Sequence, residues 1–111
     1  MLIAIIGGSG SAALRPSDAA MVEGSAADTP WGAPSGPLWR WQAGAVTVLL
    51  QHRHGDPHRW LPHEVNYRAN LWQLHRAGVD AVVGANTVGH IDRQLAVGAL
   101  VMPDQLIDYT W

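Results

Sequence analysis

Apolar and polar positions fall into two regimes along this chain, short unbroken apolar runs and one stretch of helical spacing. Leu2-Ile3-Ala4-Ile5-Ile6 is continuous and closed by Gly7-Gly8, the pattern of a central strand buried on both faces of a parallel sheet. Residues 37–42 and 45–51 flank Ala43-Gly44 and predict a hairpin, with Trp39, Trp41, Val46, Val48, Leu49 and Leu50 among its strand-forming side chains. Residues 79–85 predict a further strand that runs into Asn86-Thr87-Val88-Gly89. Residues 100–102 and 106–109, parted by Pro103-Asp104, predict two more.

The helical spacing lies between the hairpin and the strand at 79–85. Pro62 suits a first helical turn, Glu64 sits where a negative charge favours the helix dipole, and Gly78 can close the carboxyl end after Arg76. Val65, Ala69 and Trp72 form one stripe and Tyr67, Leu71 and Leu74 another on nearly the opposite side, so burial on two sides is expected. Residues 15–37 contain Pro16, Pro30, Pro34 and Pro37 without sustained periodicity and read as an extended surface connection. Strand, hairpin, helix and further strands predict an α/β fold, a mixed central sheet with flanking helices.

Composition narrows the partner. The 111 residues include 48% hydrophobic positions, enough for one core. A net charge of -2, with seven arginines and no lysine, argues against a nucleic-acid binder, which needs a basic face. No cysteine is present, which fits a reducing compartment. No apolar run approaches a membrane span, and the opening run lacks a charged leader, so the cytoplasm is the expected location. A small ligand is therefore expected.

Its chemistry is suggested by residues 52–78, where Arg53, His54, His58, Arg59, His63 and Arg68 gather in a loop and the helix after it. Arginine offers a planar fork of donors matched to phosphate or carboxylate, and histidine adds a donor whose charge changes near neutral pH. Zinc is disfavoured for this histidine series because Arg53, Arg59 and Arg68 repel a divalent cation, and no metal is expected. His52, His63 and His75 read as ordinary surface or helix-flank histidines. Gly7-Gly8-Ser9-Gly10 can turn backbone N–H groups toward an anion, although by itself it reads as a strand-ending turn. Gly8, Gly10 and Ala13 satisfy the spacing of a dinucleotide fingerprint, but Pro16 cuts short the required helix and no acid-ended strand follows. Asn86-Thr87-Val88-Gly89 sits at the carboxyl end of a strand, where ligands collect in open α/β sheets. Trp31, Trp39, Trp41, Trp60, Trp72 and Trp111 are irregularly spaced and read as core or interface.

Five blocks together are more specific. Ile6-Gly7-Gly8-Ser9-Gly10, Asp28-Thr29-Pro30-Trp31-Gly32-Ala33-Pro34-Ser35, Arg53-His54-Gly55 with His58 and the run from Pro62 to Trp72, Asn86-Thr87-Val88-Gly89, and the run from Met102 to Tyr109 occur in one order. In this the chain resembles the methylthioadenosine and methylthioinosine phosphorylases of the purine nucleoside phosphorylase family. The resemblance is poorest between Ser11 and Glu23, and Gln51-His52 also departs from the commoner pattern.

The resemblance implies a purine nucleoside phosphorylase-like fold. Members of the family are longer, so residues 1–111 are expected to be the amino-terminal part of a single phosphorylase domain. It also implies cleavage of a purine nucleoside by inorganic phosphate, the co-substrate, without a cofactor, in a homotrimer. By resemblance Ser9, Arg53, His54, Asn86 and Thr87 match phosphate-site positions, and His58, Val88 and Gly89 match positions at the nucleoside. The turn from Asn86 to Ile91 resembles the methylthioinosine type, which favours a 6-oxopurine over a 6-aminopurine. No residue is assigned to purine N7, whose partner is expected beyond Trp111. Two alternatives stand beside this reading. Arg53-His54-Gly55 also resembles the signature of histidine phosphatases, with His54 as nucleophile, and an anion-binding piece without turnover is the other.

Overall fold

A computed structural model describes residues 1–109. Strand β1 (Leu2–Gly7) is followed by a short 3-10 turn (Ser11–Leu14) and a two-residue strand β2 (Ala20–Met21). The hairpin of β3 (Leu38–Ala43) and β4 (Val46–His52), helix α1 (Tyr67–Arg76) and strand β5 (Ala81–Ala85) complete the elements. The strands form one sheet in the order β2-β3-β4-β1-β5. β1 runs parallel to both β4 and β5, whereas β3 runs antiparallel to β4 and to β2, so the expected α/β fold with a mixed sheet is present.

The hairpin turns where the sequence places it, with Gly44 at φ 59° supplying the left-handed conformation that a tight strand-to-strand turn requires. β1 is interior to the sheet as expected, but only Ala4 and Gly7 in it are buried, and its other side chains are half-covered. β5 lies at the sheet edge with Val82 and Val83 exposed. The core gathers Ala4, Leu38, Leu49 and Leu74, with Leu2, Ile6, Val22, Ala77 and Val79 packed around it.

Four expectations need correction. The helix starts at Tyr67 and not at Pro62, because Leu61 to Glu64 close on themselves as a turn. There the Leu61 N–H donates to the Glu64 carboxylate at 2.9 Å, and the Glu64 N–H donates to the Leu61 carbonyl at 2.9 Å. Asn66 is then the N-cap, its side-chain oxygen accepting the Ala69 N–H at 3.1 Å. The carboxyl end behaves as expected, with Ala77 as C-cap and Gly78 at φ 72°.

Of the two expected stripes, Val65 and Ala69 are buried and Trp72 half-buried, whereas the second fails at Tyr67 and Leu71. Ala69 and Leu74 go inward together with Asn70 and Gln73, while Tyr67 and Leu71 are exposed. A purely apolar reading overlooked the two amides because it took polar side chains as outward-facing. Residues 15–37 are not wholly an irregular connection, since Ala20 and Met21 pair with Arg40 and Trp39. Residues 100–102 and 106–109 form no strand, and Leu100, Met102, Leu106, Ile107 and Tyr109 are exposed. A strand needs a neighbour to satisfy its backbone groups, and no ladder reaches these residues. The described tryptophans lie outside the core cluster. Trp31 meets Trp72 edge-to-face at 5.3 Å and Trp39 carries the Arg15 guanidinium 4.0 Å above its ring, while Trp111 lies outside the described residues.

Candidate functional site

Strand register builds the site. Gly7 at the carboxyl end of β1 is paired with His52 at the end of β4 and with Ala85 at the end of β5. Three parallel strands therefore stop at one level, and the segments that leave them, Gly8-Ser9-Gly10, Arg53-His54 and Asn86-Thr87, emerge side by side at the ligand-binding edge of the sheet.

Arg53 joins the three. Its backbone N–H donates to the Gly7 carbonyl at 3.0 Å, and its Nη1 donates to the Ala85 carbonyl at 3.0 Å. A Cβ on residue 8 would stand 2.2 Å from Arg53 Nη2, so only glycine lets the guanidinium cross beneath the loop. The neighbouring glycine has a separate reason, because a Cβ on residue 7 would stand 2.2 Å from Ser11 Cβ. Among the described residues Nη2 makes no hydrogen bond.

His54, buried, braces this arginine. Arg53 Nε donates to His54 Nε2 at 3.1 Å, and His54 Nδ1 lies 2.9 Å from the Trp60 carbonyl. A carbonyl only accepts, so Nδ1 carries the proton and Nε2 is the acceptor. His58 stacks on the His54 ring at 4.6 Å with 12° between planes.

Two adjoining clefts open on the glycine loop. Gly8, Ser9, Gly10 and Ser11 line both, one continuing to His52, His54, Asp56 and His58, the other to Ala85, Asn86 and Thr87. Ser9, His54, His58, Asn86 and Thr87 thus line these two clefts, and Arg53, which touches His54, Ala85 and Gly8, lines neither. Val88 and Gly89 are exposed and line neither cleft. Among the described residues no three His, Asp or Glu side chains form a metal-binding group.

His52 is not an ordinary surface histidine. It is 7% exposed, and its Nδ1 shares a 2.8 Å hydrogen bond with Ser11 Oγ beneath the glycine loop. Burial lowers its pKa, the carboxylate of Asp56 3.9 Å from Nε2 opposes that shift, and the Arg15 guanidinium adds to it. Arg15 itself binds Asp56 at 2.8 Å and ties the segment after the 3-10 turn to the Arg53 loop. Spacing along the chain gave no sign of the Ser11–His52 pair, since the two meet only once β1 and β4 are in register.

This arrangement can hold an oxyanion. The glycine loop with Ser9, His54 and His58 borders one cleft and the same loop with Asn86 and Thr87 the other, while the Arg53 guanidinium lines neither and lies against Gly8 behind the loop, where its fixed charge favours an anion.

Comparison with known proteins extends the picture. The family model of the phosphorylase superfamily matches residues 2–111. A probable S-methyl-5'-thioinosine phosphorylase of Xanthomonas campestris pv. campestris is 44% identical over 115 residues, covering 98% of this chain and 43% of that protein. The S-methyl-5'-thioadenosine phosphorylase of Mycobacterium tuberculosis is 42% identical over 109 residues, covering 98% of this chain and 40% of that protein. The chain thus spans about two-fifths of the length of these curated relatives. Among solved structures, the ligand-free methylthioadenosine phosphorylase of Schistosoma mansoni superposes with a TM-score of 0.68 at 33% identity, covering 86% of this chain and 33% of that one.

Proposed function

The chain belongs to the phosphorylase superfamily, and from that premise we propose that the full-length protein uses inorganic phosphate to cleave a 5'-methylthio purine nucleoside. The products are the free purine base and 5-methylthioribose 1-phosphate. The observation that carries the proposal is the meeting of Gly8, Arg53 and Ala85 at the ends of three parallel strands, which packs a guanidinium against the glycine loop.

Phosphorolysis asks the protein to hold a phosphate dianion below the sugar while the glycosidic bond lengthens and the ribose gains positive charge. Positioning and charge stabilisation supply most of the acceleration. Ser9, Arg53, His54, Asn86 and Thr87 are assigned to the phosphate, and His58, Val88 and Gly89 to the nucleoside. Of the last three, only His58 borders the clefts, so Val88 and Gly89 reach the nucleoside only if the segment after β5 folds inward when it binds. The proposal includes a homotrimer in the cytoplasm, with no cofactor beyond the phosphate co-substrate. Methylthioinosine is the favoured nucleoside, because the Asn86-to-Ile91 turn resembles that type and the Xanthomonas relative carries that name.

The histidine-phosphatase alternative is disfavoured by the same geometry. A nucleophilic imidazole needs a free nitrogen lone pair, and His54 Nε2 already accepts from Arg53 while Nδ1 donates to Trp60.

The test is base release by full-length protein from methylthioinosine and from methylthioadenosine, each with and without phosphate. Release that requires phosphate and runs faster on methylthioinosine is the expected result. Release indifferent to phosphate, or none, overturns the activity, and a preference for methylthioadenosine overturns the choice of base.

A further inference from the structure

Beneath Arg53 lies a buried polar network that the proposed chemistry does not itself require. Ser35, Gln51, Asn70 and Gln73 are all nearly inaccessible to solvent. Ser35 Oγ donates to the backbone carbonyl of Arg53 at 2.6 Å, and the same oxygen accepts from Asn70 Nδ2 at 2.9 Å. Asn70 Oδ1 in turn accepts the Ser35 N–H at 2.8 Å and Gln51 Nε2 at 3.2 Å. Gln51 donates on to Gln73 Oε1, and Gln73 Nε2 donates to the Gly36 carbonyl at 3.0 Å and to the Ser25 carbonyl.

Bringing four polar side chains into a core is costly, and their mutual hydrogen bonds offset part of that cost, with Gln51 Oε1 left buried and unpartnered among the described residues. Among the described residues the network's side-chain hydrogen bond to the segment that follows β4 is the one from Ser35 to the Arg53 carbonyl. Pro34 and Pro37 flank Ser35-Gly36 and limit the freedom of the loop on either side, and Asn70 projects from the middle of α1. A rigid helix and a stiff loop therefore fix the peptide plane that joins Arg53 to His54, the residue that braces the guanidinium.

We propose that Ser35 and Asn70 are positioning residues for Arg53, holding its backbone so that the guanidinium faces the glycine loop and thereby setting affinity for phosphate. Neither residue touches the clefts around Gly8 to Ser11. Without the Ser35 hydroxyl the Arg53 carbonyl loses its partner, the 53–54 peptide is free to rotate, and the contacts to His54 and Ala85 loosen together. The inference rests on the phosphate-dependent reading above.

The experiment compares full-length protein with its Ser35→Ala variant, measuring KM for phosphate, KM for the nucleoside, kcat and Tm. A loss of about one net hydrogen bond corresponds to a roughly fivefold to tenfold rise in phosphate KM, with nucleoside KM within about twofold. Leu74→Val, which thins the core without touching the network, serves as the stability control and should lower Tm while leaving phosphate KM in place. Should the unsubstituted protein release base without need of phosphate, the functional reading fails and takes this role with it. If it requires phosphate and Ser35→Ala leaves phosphate KM unchanged, or if Leu74→Val raises it equally, the positioning role alone is wrong.

Discussion

The Arg53 guanidinium occupies the space a side chain at Gly8 would fill, with Nη2 only 2.2 Å from where that Cβ would stand. The contact is with the head of a long side chain, so Gly8→Ala is accommodated by moving Arg53. The expected outcome is a folded protein with phosphate affinity reduced about as much as by losing the guanidinium, on the order of 2 to 5 kcal/mol. Phosphate titration with a Tm measurement on the same variant checks it. Unchanged phosphate affinity would show that Arg53 does not act from its present place.

Arg53→Ala and Arg53→Lys separate charge from shape. Lysine keeps a positive charge but cannot donate at once to His54, to the Ala85 carbonyl and to a ligand, as the planar fork does. Arg53→Lys is therefore expected to lose most of what Arg53→Ala loses, and phosphate KM for the two variants is the measurement. Near-normal behaviour of the lysine variant would mean that only charge is used.

Much of this site was legible in sequence because it depends on short-range constraints. Gly7-Gly8 after an apolar run, and Arg53-His54 after another, each mark a strand end, and the parallel register then brings them together. What escaped depends on contacts distant in sequence. His52 and Ser11 are 41 residues apart and share a hydrogen bond only through sheet pairing. Asn70 and Gln73 are buried because Ser35 and Gln51 meet them, which no helical periodicity of apolar residues can reveal. The helix start was misplaced because Pro62 and Glu64 fit a first turn equally well whether that turn continues into a helix or closes on itself. Residues 100–102 and 106–109 have strand-like composition, but composition does not supply a neighbouring strand.

Asn66 has two tasks that substitution can separate. Its Oδ1 caps α1 at Ala69, and its Nδ2 donates to the Trp31 carbonyl at 2.6 Å, tying the loop before β3 to the helix. Asn66→Ala removes both and should cost about 1 to 2 kcal/mol by urea denaturation. Asn66→Asp keeps the cap but turns an oxygen toward the Trp31 carbonyl, so it should also be less stable than the native chain. Full stability in the aspartate variant would assign the whole contribution to the cap.

His52 makes stability depend on pH with a definite sign. Burial holds its folded-state pKa below the ordinary imidazole value of about 6.5, against the opposing pull of Asp56 and with a further lowering from Arg15. Between the depressed pKa and about 6.5 the unfolded chain binds a proton that the folded chain refuses, so stability rises with pH across that window. The contribution is fully present above about 6.5, declines as pH falls below it, and levels off once the folded ring is protonated as well. His52→Asn places an amide near the position of Nδ1, keeps a partner for Ser11 and removes the titration. The native chain should therefore lose more Tm than this variant between about pH 7.5 and pH 5. Parallel Tm curves for the two would mean that burial of His52 is not coupled to its protonation.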